Sequence, residues 1–105
     1  SGPAATRTAA CRCEEVLALL ARQLRRQQEA GREFLVGEAL SAVDLYWAVS
    51  ANLFAPRPPD ELRIPEATRQ AIVEQAEPFR DALDPILLEH QRRIHQDFLH
   101  LPLAP

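Results

Sequence analysis

The chain is 105 residues long, carries a formal net charge of −3, and is 47% apolar. That suits one globular domain and excludes a general electrostatic pull toward nucleic acid or an anionic membrane surface. Three glycines against seventeen alanines, with leucine, glutamate, glutamine and arginine frequent, favour helix throughout. All twelve basic residues are arginine, which we read as a codon-composition bias of the source genome.

Residues 1–6 read as a loose leader or tag remnant. A helix is predicted from about Thr8 to Ala30, because Cys13, Val16, Leu17, Leu20 and Leu24 recur at helical spacing. Arg12, Glu15, Arg22, Arg26 and Glu29 take the opposite face, and Gly31 stops the helix. Cys11 and Cys13 are too close in sequence for an ordinary disulfide, and on a helix they point about 200° apart. Cys13 is expected to be buried and Cys11 exposed, in a reducing, cytoplasmic setting. Phe34, Leu35 and Val36 form a short apolar link that ends in a turn at Gly37.

Between Ala42 and Ala55 only Asp44, Ser50 and Asn52 are plainly polar. A helix apolar nearly all round is a membrane span or a core helix. These fourteen residues would reach about 21 Å, short of a hydrocarbon core of roughly 30 Å. The segment from about 41 to 55 is therefore read as a central buried helix, and no membrane partner is expected. Ser41 is placed as its N-cap, with Asp44 three positions on closing a capping box and acting as the lesser partner. Leu40 and Leu45 stand where a hydrophobic staple sits, and cap and staple together are worth about 1–2 kcal/mol. Tyr46 and Trp47 combine aromatic bulk with a polar handle, so they are read as core residues that can also line a substrate pocket.

Residues 55–65 hold four prolines and can only be a connection. Pro65 opens a helix to about Ala76. Pro78 breaks it, with one further turn over residues 79–83. Asp84-Pro85 starts a last helix to about Leu99, with Leu87, Ile94 and Phe98 as its inner stripe, Leu101 beyond, and Pro102 as its stop. The fold class is all-α, a bundle of about four to five helices.

His90, His95 and His100 are five residues apart, whereas helical ligand pairs need three or four. They are read as surface or partly packed, with no metal. Arg22, Arg25 and Arg26 lie beside Glu29 without an interleaved aromatic, so a solvated face is read in place of a nucleic-acid site. No nucleophile with its base, no glycine-rich phosphate loop and no catalytic carboxylate pair can be drawn. No catalytic, cofactor-binding or metal residue is assigned.

The stretch FLVGEALSAVDLYWA resembles the C-terminal helical domain of the glutathione transferases, whose Gly-x-x-Ser/Thr-x-x-Asp element opens the central helix. Gly37, Ser41 and Asp44 carry the match after Phe34, Leu35 and Val36; the second gap here is two residues and the first three. The resemblance covers about residues 10–103. It implies a partial domain over residues 7–105, within a bacterial protein whose thioredoxin-like N-terminal domain is absent here. In the parent that domain would be this chain's partner and would hold the glutathione co-substrate, for conjugation to an electrophile. Ser41 and Asp44 carry over as structural residues only, and this chain alone is expected to be inactive. The alternative is a non-catalytic protein–protein interaction module of the same fold. The chain has no methionine and begins Ser1-Gly2, which reads as a piece of something longer. The resemblance also lacks a counterpart for one helix that covers the central one, so an exposed apolar patch and a homo-oligomer are expected.

Overall fold

A computed structural model describes residues 3–99. They form four α-helices: α1 (Pro3–Glu29), α2 (Ala42–Ser50), α3 (Glu66–Ala76) and α4 (Pro85–Phe98). The class is all-α, and among the described residues no helix is long and apolar enough to cross a membrane. Leu101 and His100 lie outside the described residues.

Helix α1 starts at Pro3, five residues earlier than predicted, so residues 3–6 are helix and not a loose leader. A proline at the first helical position loses no hydrogen bond and has its φ already set. The other end closes as a Schellman motif at Gly31, whose φ of +78° suits glycine. There Gly31 N–H reaches Gln28 O at 3.0 Å and Arg32 N–H reaches Gln27 O at 2.8 Å.

The link from residue 32 to 41 is held on α1 by two glutamines. Gln23 donates to Leu35 O at 2.9 Å, and Gln27 donates to Gly37 O at 2.7 Å. Leu35 is fully buried and Gly37 turns the chain at φ +65°. Helix α2 is shorter than predicted, giving way to a 3-10 turn over Ala51–Leu53 before Pro56.

The proline-rich connection is ordered by arginine. Arg57 pairs with Glu61 at 2.7 Å, and Arg69 of α3 donates to the carbonyl oxygens of Arg57 and Leu62. A second 3-10 turn, Glu77–Ala82, carries Phe79 edge-on to Phe54. Asp84 caps α4 by accepting from Ile86 N–H at 3.0 Å, and Arg25 of α1 pairs with the same carboxylate.

Helix α4 is the shared support. Both α1 and α2 pack chiefly against it, and the core joins Leu17, Ala21 and Leu24 of α1 with Leu35, Trp47, Ala51 and Leu87. The molecule is a slab measuring 43 × 31 × 20 Å. Its shortest dimension is about two helix diameters, so the bundle is two layers thick.

Two burial expectations are corrected by this arrangement. Helix α2 and its extension are not buried all round: Tyr46 is 72% exposed and Leu53 67%, with Val43 and Val49 also open. The reason is that α1 and α2 lean on α4 and not closely on each other, which leaves the outer side of α2 uncovered. Cys13 is exposed like Cys11, because it faces that same opening and not the core.

Candidate functional site

Two features stand out, a buried polar centre around Asp44 and an apolar groove beside it. Asp44 sits in the third position of α2 and is fully buried. Its Oδ2 accepts the Ser41 backbone N–H and the Ser41 hydroxyl, each at 2.9 Å. Its Oδ1 accepts the Leu35 N–H and the His90 Nε2–H, each at 2.8 Å. One carboxylate thus ties together the link, the start of α2 and the middle of α4. Ser41 and Asp44 close both halves of the capping box, and the Ser41 hydroxyl also donates to the carboxylate. Leu40 and Leu45 are both half-buried.

The histidine is held from its other side as well. Arg93 donates to His90 Nδ1 at 2.7 Å and also to the carbonyl oxygen of Glu33. With Nδ1 accepting and Nε2 donating, the ring is neutral and its tautomer is set by its two neighbours. Burial by itself would raise the Asp44 pKa; the N–H groups of Leu35 and Ser41, then His90 and the Ser41 hydroxyl, together hold it below its ordinary 3.8. For His90 burial is the largest influence and lowers its pKa. The Asp44 bond opposes this, the Arg93 charge reinforces it, and the value falls below the ordinary 6.5.

A second polar cluster fixes the far end of α2 on α4. His95 Nε2–H donates to Ala48 O at 3.1 Å. The Asn52 amide donates to Val49 O at 3.2 Å and its Oδ1 accepts Arg57 N–H at 2.9 Å. Gln91 reaches Asn52 Oδ1 at 3.3 Å and Ala55 O at 2.9 Å. Burial also depresses the His95 pKa, partly offset by the Ala48 carbonyl. Among the described residues every buried side-chain nitrogen and oxygen has a partner.

His90 and His95 are therefore buried, not at the surface or partly packed, and this corrects the reading from their spacing. They lie about 140° apart around α4, which lets one reach Asp44 and the other Ala48 on the helix that α4 supports. Phe98, placed on the inner stripe, is 40% exposed and packs edge-on against Phe34. No three His, Cys, Asp or Glu side chains among the described residues come together in a way that could hold a metal ion.

The groove lies between α1 and the segment 43–54 and has a volume of about 430 Å³. One wall is Cys13, Val16, Leu17 and Leu20; the other is Val43, Tyr46, Trp47 and Phe54. Arg12 and Ser50 complete the lining. Trp47 is mostly buried and donates its indole N–H to Leu87 O at 3.0 Å, so its ring is fixed as the groove's floor. Tyr46 stands at the open rim. The groove offers apolar surface, one thiol at Cys13 and a single guanidinium at Arg12, but no acid–base pair in its lining.

Sequence reading had missed His90, Gln91, Asn52, Arg93 and His95 as members of one polar interface. A signal was present. Leu87, Gln91 and Ile94, with His90 beside them, fall on one stripe of α4. Polar residues on an apolar stripe need partners, and Asp44 and Asn52 inside an apolar helix pose the same demand.

The geometry reverses the expected ranking of the two capping residues. Removing Asp44 leaves two buried donors unpaired, the Leu35 N–H and the His90 imidazole N–H, together with the part-buried Ser41 N–H, whereas removing the Ser41 hydroxyl leaves the carboxylate three of its four bonds. Asp44→Ala is expected to cost about 3–5 kcal/mol and Ser41→Ala about 1 kcal/mol, read by urea denaturation. Equal losses for the two variants contradict the central role of the carboxylate.

Acid sensitivity follows from the histidines. The folded pKa values of His90 and His95 lie below 6.5, so the unfolded chain takes up protons first as the pH falls. Their contribution to stability is full above 6.5 and is lost below it, before Asp44, which gives way only beneath 3.8. The urea midpoint is expected to fall as the pH drops through 6.5. A midpoint that stays constant there contradicts the buried, neutral histidines.

No family model, curated protein or solved structure matches this chain.

Proposed function

We propose that this chain is the helical domain on the hydrophobic-substrate side of a glutathione-transferase-like protein. The parent would activate the glutathione thiol in a thioredoxin-like domain for attack on an electrophile. This domain would supply an apolar wall against which the electrophile rests. The reading is carried by one observation: an apolar groove of about 430 Å³ with Tyr46 and Trp47 in its lining and no acid–base pair among its lining residues. The resemblance of Gly37, Ser41 and Asp44 to the family's capping element supports it, and so does the all-α class. The division of labour is physically reasonable. Burial of apolar surface in a preformed concave site binds a hydrophobic molecule without chemistry of its own.

Trp47 is the sole tryptophan and lines the groove, so its fluorescence reports on occupancy directly. Titrating the chain with a small aromatic electrophile should quench Trp47 saturably, and Tyr46→Ala should weaken that binding. Glutathione at millimolar concentration should give no binding heat in calorimetry, and no conjugate should form. Saturable glutathione binding would contradict the assignment of the thiol site to another domain. Failure of every apolar aromatic to bind would favour the docking-module reading instead.

A further inference from the structure

His90 is bonded at both ring nitrogens, and the two bonds answer an added proton in opposite ways. Its Nε2–H donates to Asp44 Oδ1 at 2.8 Å, while its Nδ1 accepts from Arg93 Nη2 at 2.7 Å. The same Arg93 nitrogen also donates to Glu33 O, near the start of the link. A second proton on the ring can go only to Nδ1. It strengthens the Asp44 bond, which becomes charge-assisted. On the other side it sets N–H against N–H and cation against cation, at a separation that suits only a donor and an acceptor.

We propose that His90 is a proton-operated latch: when it is protonated, Arg93 leaves the ring and releases Glu33, and Glu33 and Phe34 come away from α4 while α2 stays docked. The charged groups that face His90 are Asp44 from α2 and Arg93 from its own helix. The link contributes Arg32, Glu33 and Glu38, all exposed, with Arg32 and Glu38 3.9 Å apart. Helix α1 meets the link with the uncharged Gln23 and Gln27. No carboxylate but Asp44 is thus placed to offset a second positive charge beside Arg93. Asp97 lies one turn along α4 from Arg93, exposed and in no ion pair among the described residues. The displaced guanidinium therefore has a carboxylate to swing to.

The release is confined to two residues. Before them, Arg32 N–H is bound to Gln27 O. After them, Gln23 holds Leu35 O, Gln27 holds Gly37 O, and Asp44 holds the Leu35 and Ser41 N–H groups. A proton on His90 disturbs none of these bonds. Between them, among the described residues, Glu33 and Phe34 are tied to α4 by Arg93 and by the edge contact of Phe34 with Phe98. The hollow of about 320 Å³ walled by Glu33, Phe34 and Glu38 opens with them. This is a local step at the titration of one ring, distinct from the loss of overall stability in acid. It is independent of the glutathione-transferase reading.

An NMR titration of the whole chain tests the latch, following the His90 ring nitrogens, the ring-to-ring contacts of Phe34 with Phe98, and the exchange protection of the Leu35 and Ser41 N–H groups. The ring contacts should be lost where His90 titrates, below 6.5, with both N–H groups still protected and the helical circular dichroism unchanged. In His90→Gln the amide can donate to Asp44 and accept from Arg93 without titrating, so the ring contacts should persist through the pH at which the parent loses them. In Arg93→Met the histidine should titrate at a higher pH, and the ring contacts should no longer follow it. Contacts that survive the titration of His90 in the parent overturn the proposal. So does a single unfolding step with no earlier change at Phe34, or the same pH dependence in either variant.

Discussion

A carboxylate taken out of water is among the most expensive groups a small protein can bury, and Asp44 is tolerable only because its two oxygens are fully occupied. Four donors converge on it from three separate pieces of chain: the link, the beginning of α2 and the middle of α4. None of these pieces is adjacent in sequence to all the others, so the carboxylate converts a local helix start into a tertiary clamp. Because the interaction is bonded on every side, it also sets direction. The Leu35 N–H fixes where the link runs, Ser41 fixes where α2 begins, and His90 fixes the rotation of α4. Arg93 extends the chain of bonds back to Glu33, closing the circuit on the link.

The clamp explains why one side of α2 is left open. Asp44, Trp47, Ala48 and Asn52 are drawn against the link and α4, so the residues on the opposite side, Val43, Tyr46 and Leu53, must face outward. Helix α1 is held to α4 independently, by Leu17, Leu24 and the Arg25–Asp84 pair. Two helices fixed to a common support diverge, and the space between them is the groove. Its apolar lining is thus a consequence of how the polar centre orients α2, and polar anchoring and apolar opening are two faces of the same constraint.

Much of the fold was legible in the chain. The period of Val16, Leu17, Leu20 and Leu24, the cap at Ser41 and the Asp84-Pro85 start all mark helices found near those places, because each depends on local chemistry. The errors fall where long-range packing decides. An all-apolar segment says that α2 has burial to offer, but not that the chain supplies every wall. Cys13 lies on the apolar face of α1 at the half of the helix that is left open among the described residues. A five-residue histidine spacing speaks against metal ligation but says nothing of the separate partners that a crossing helix can present. The functional reading joins a resemblance over a short motif to a groove whose shape is set by packing that no local pattern in the chain encodes.

The central claim is that Asp44 and a neutral His90 form one buried, fully bonded pair. Nitrogen NMR of the imidazole rings tests it most directly, with His90 assigned by its absence in His90→Gln. The account requires a His90 ring protonated at Nε2 and bare at Nδ1, with its pKa lowered by burial from 6.5, the ordinary histidine value. A ring that titrates at 6.5, or that carries its proton on Nδ1, contradicts the clamp and with it the explanation of how α2 is held.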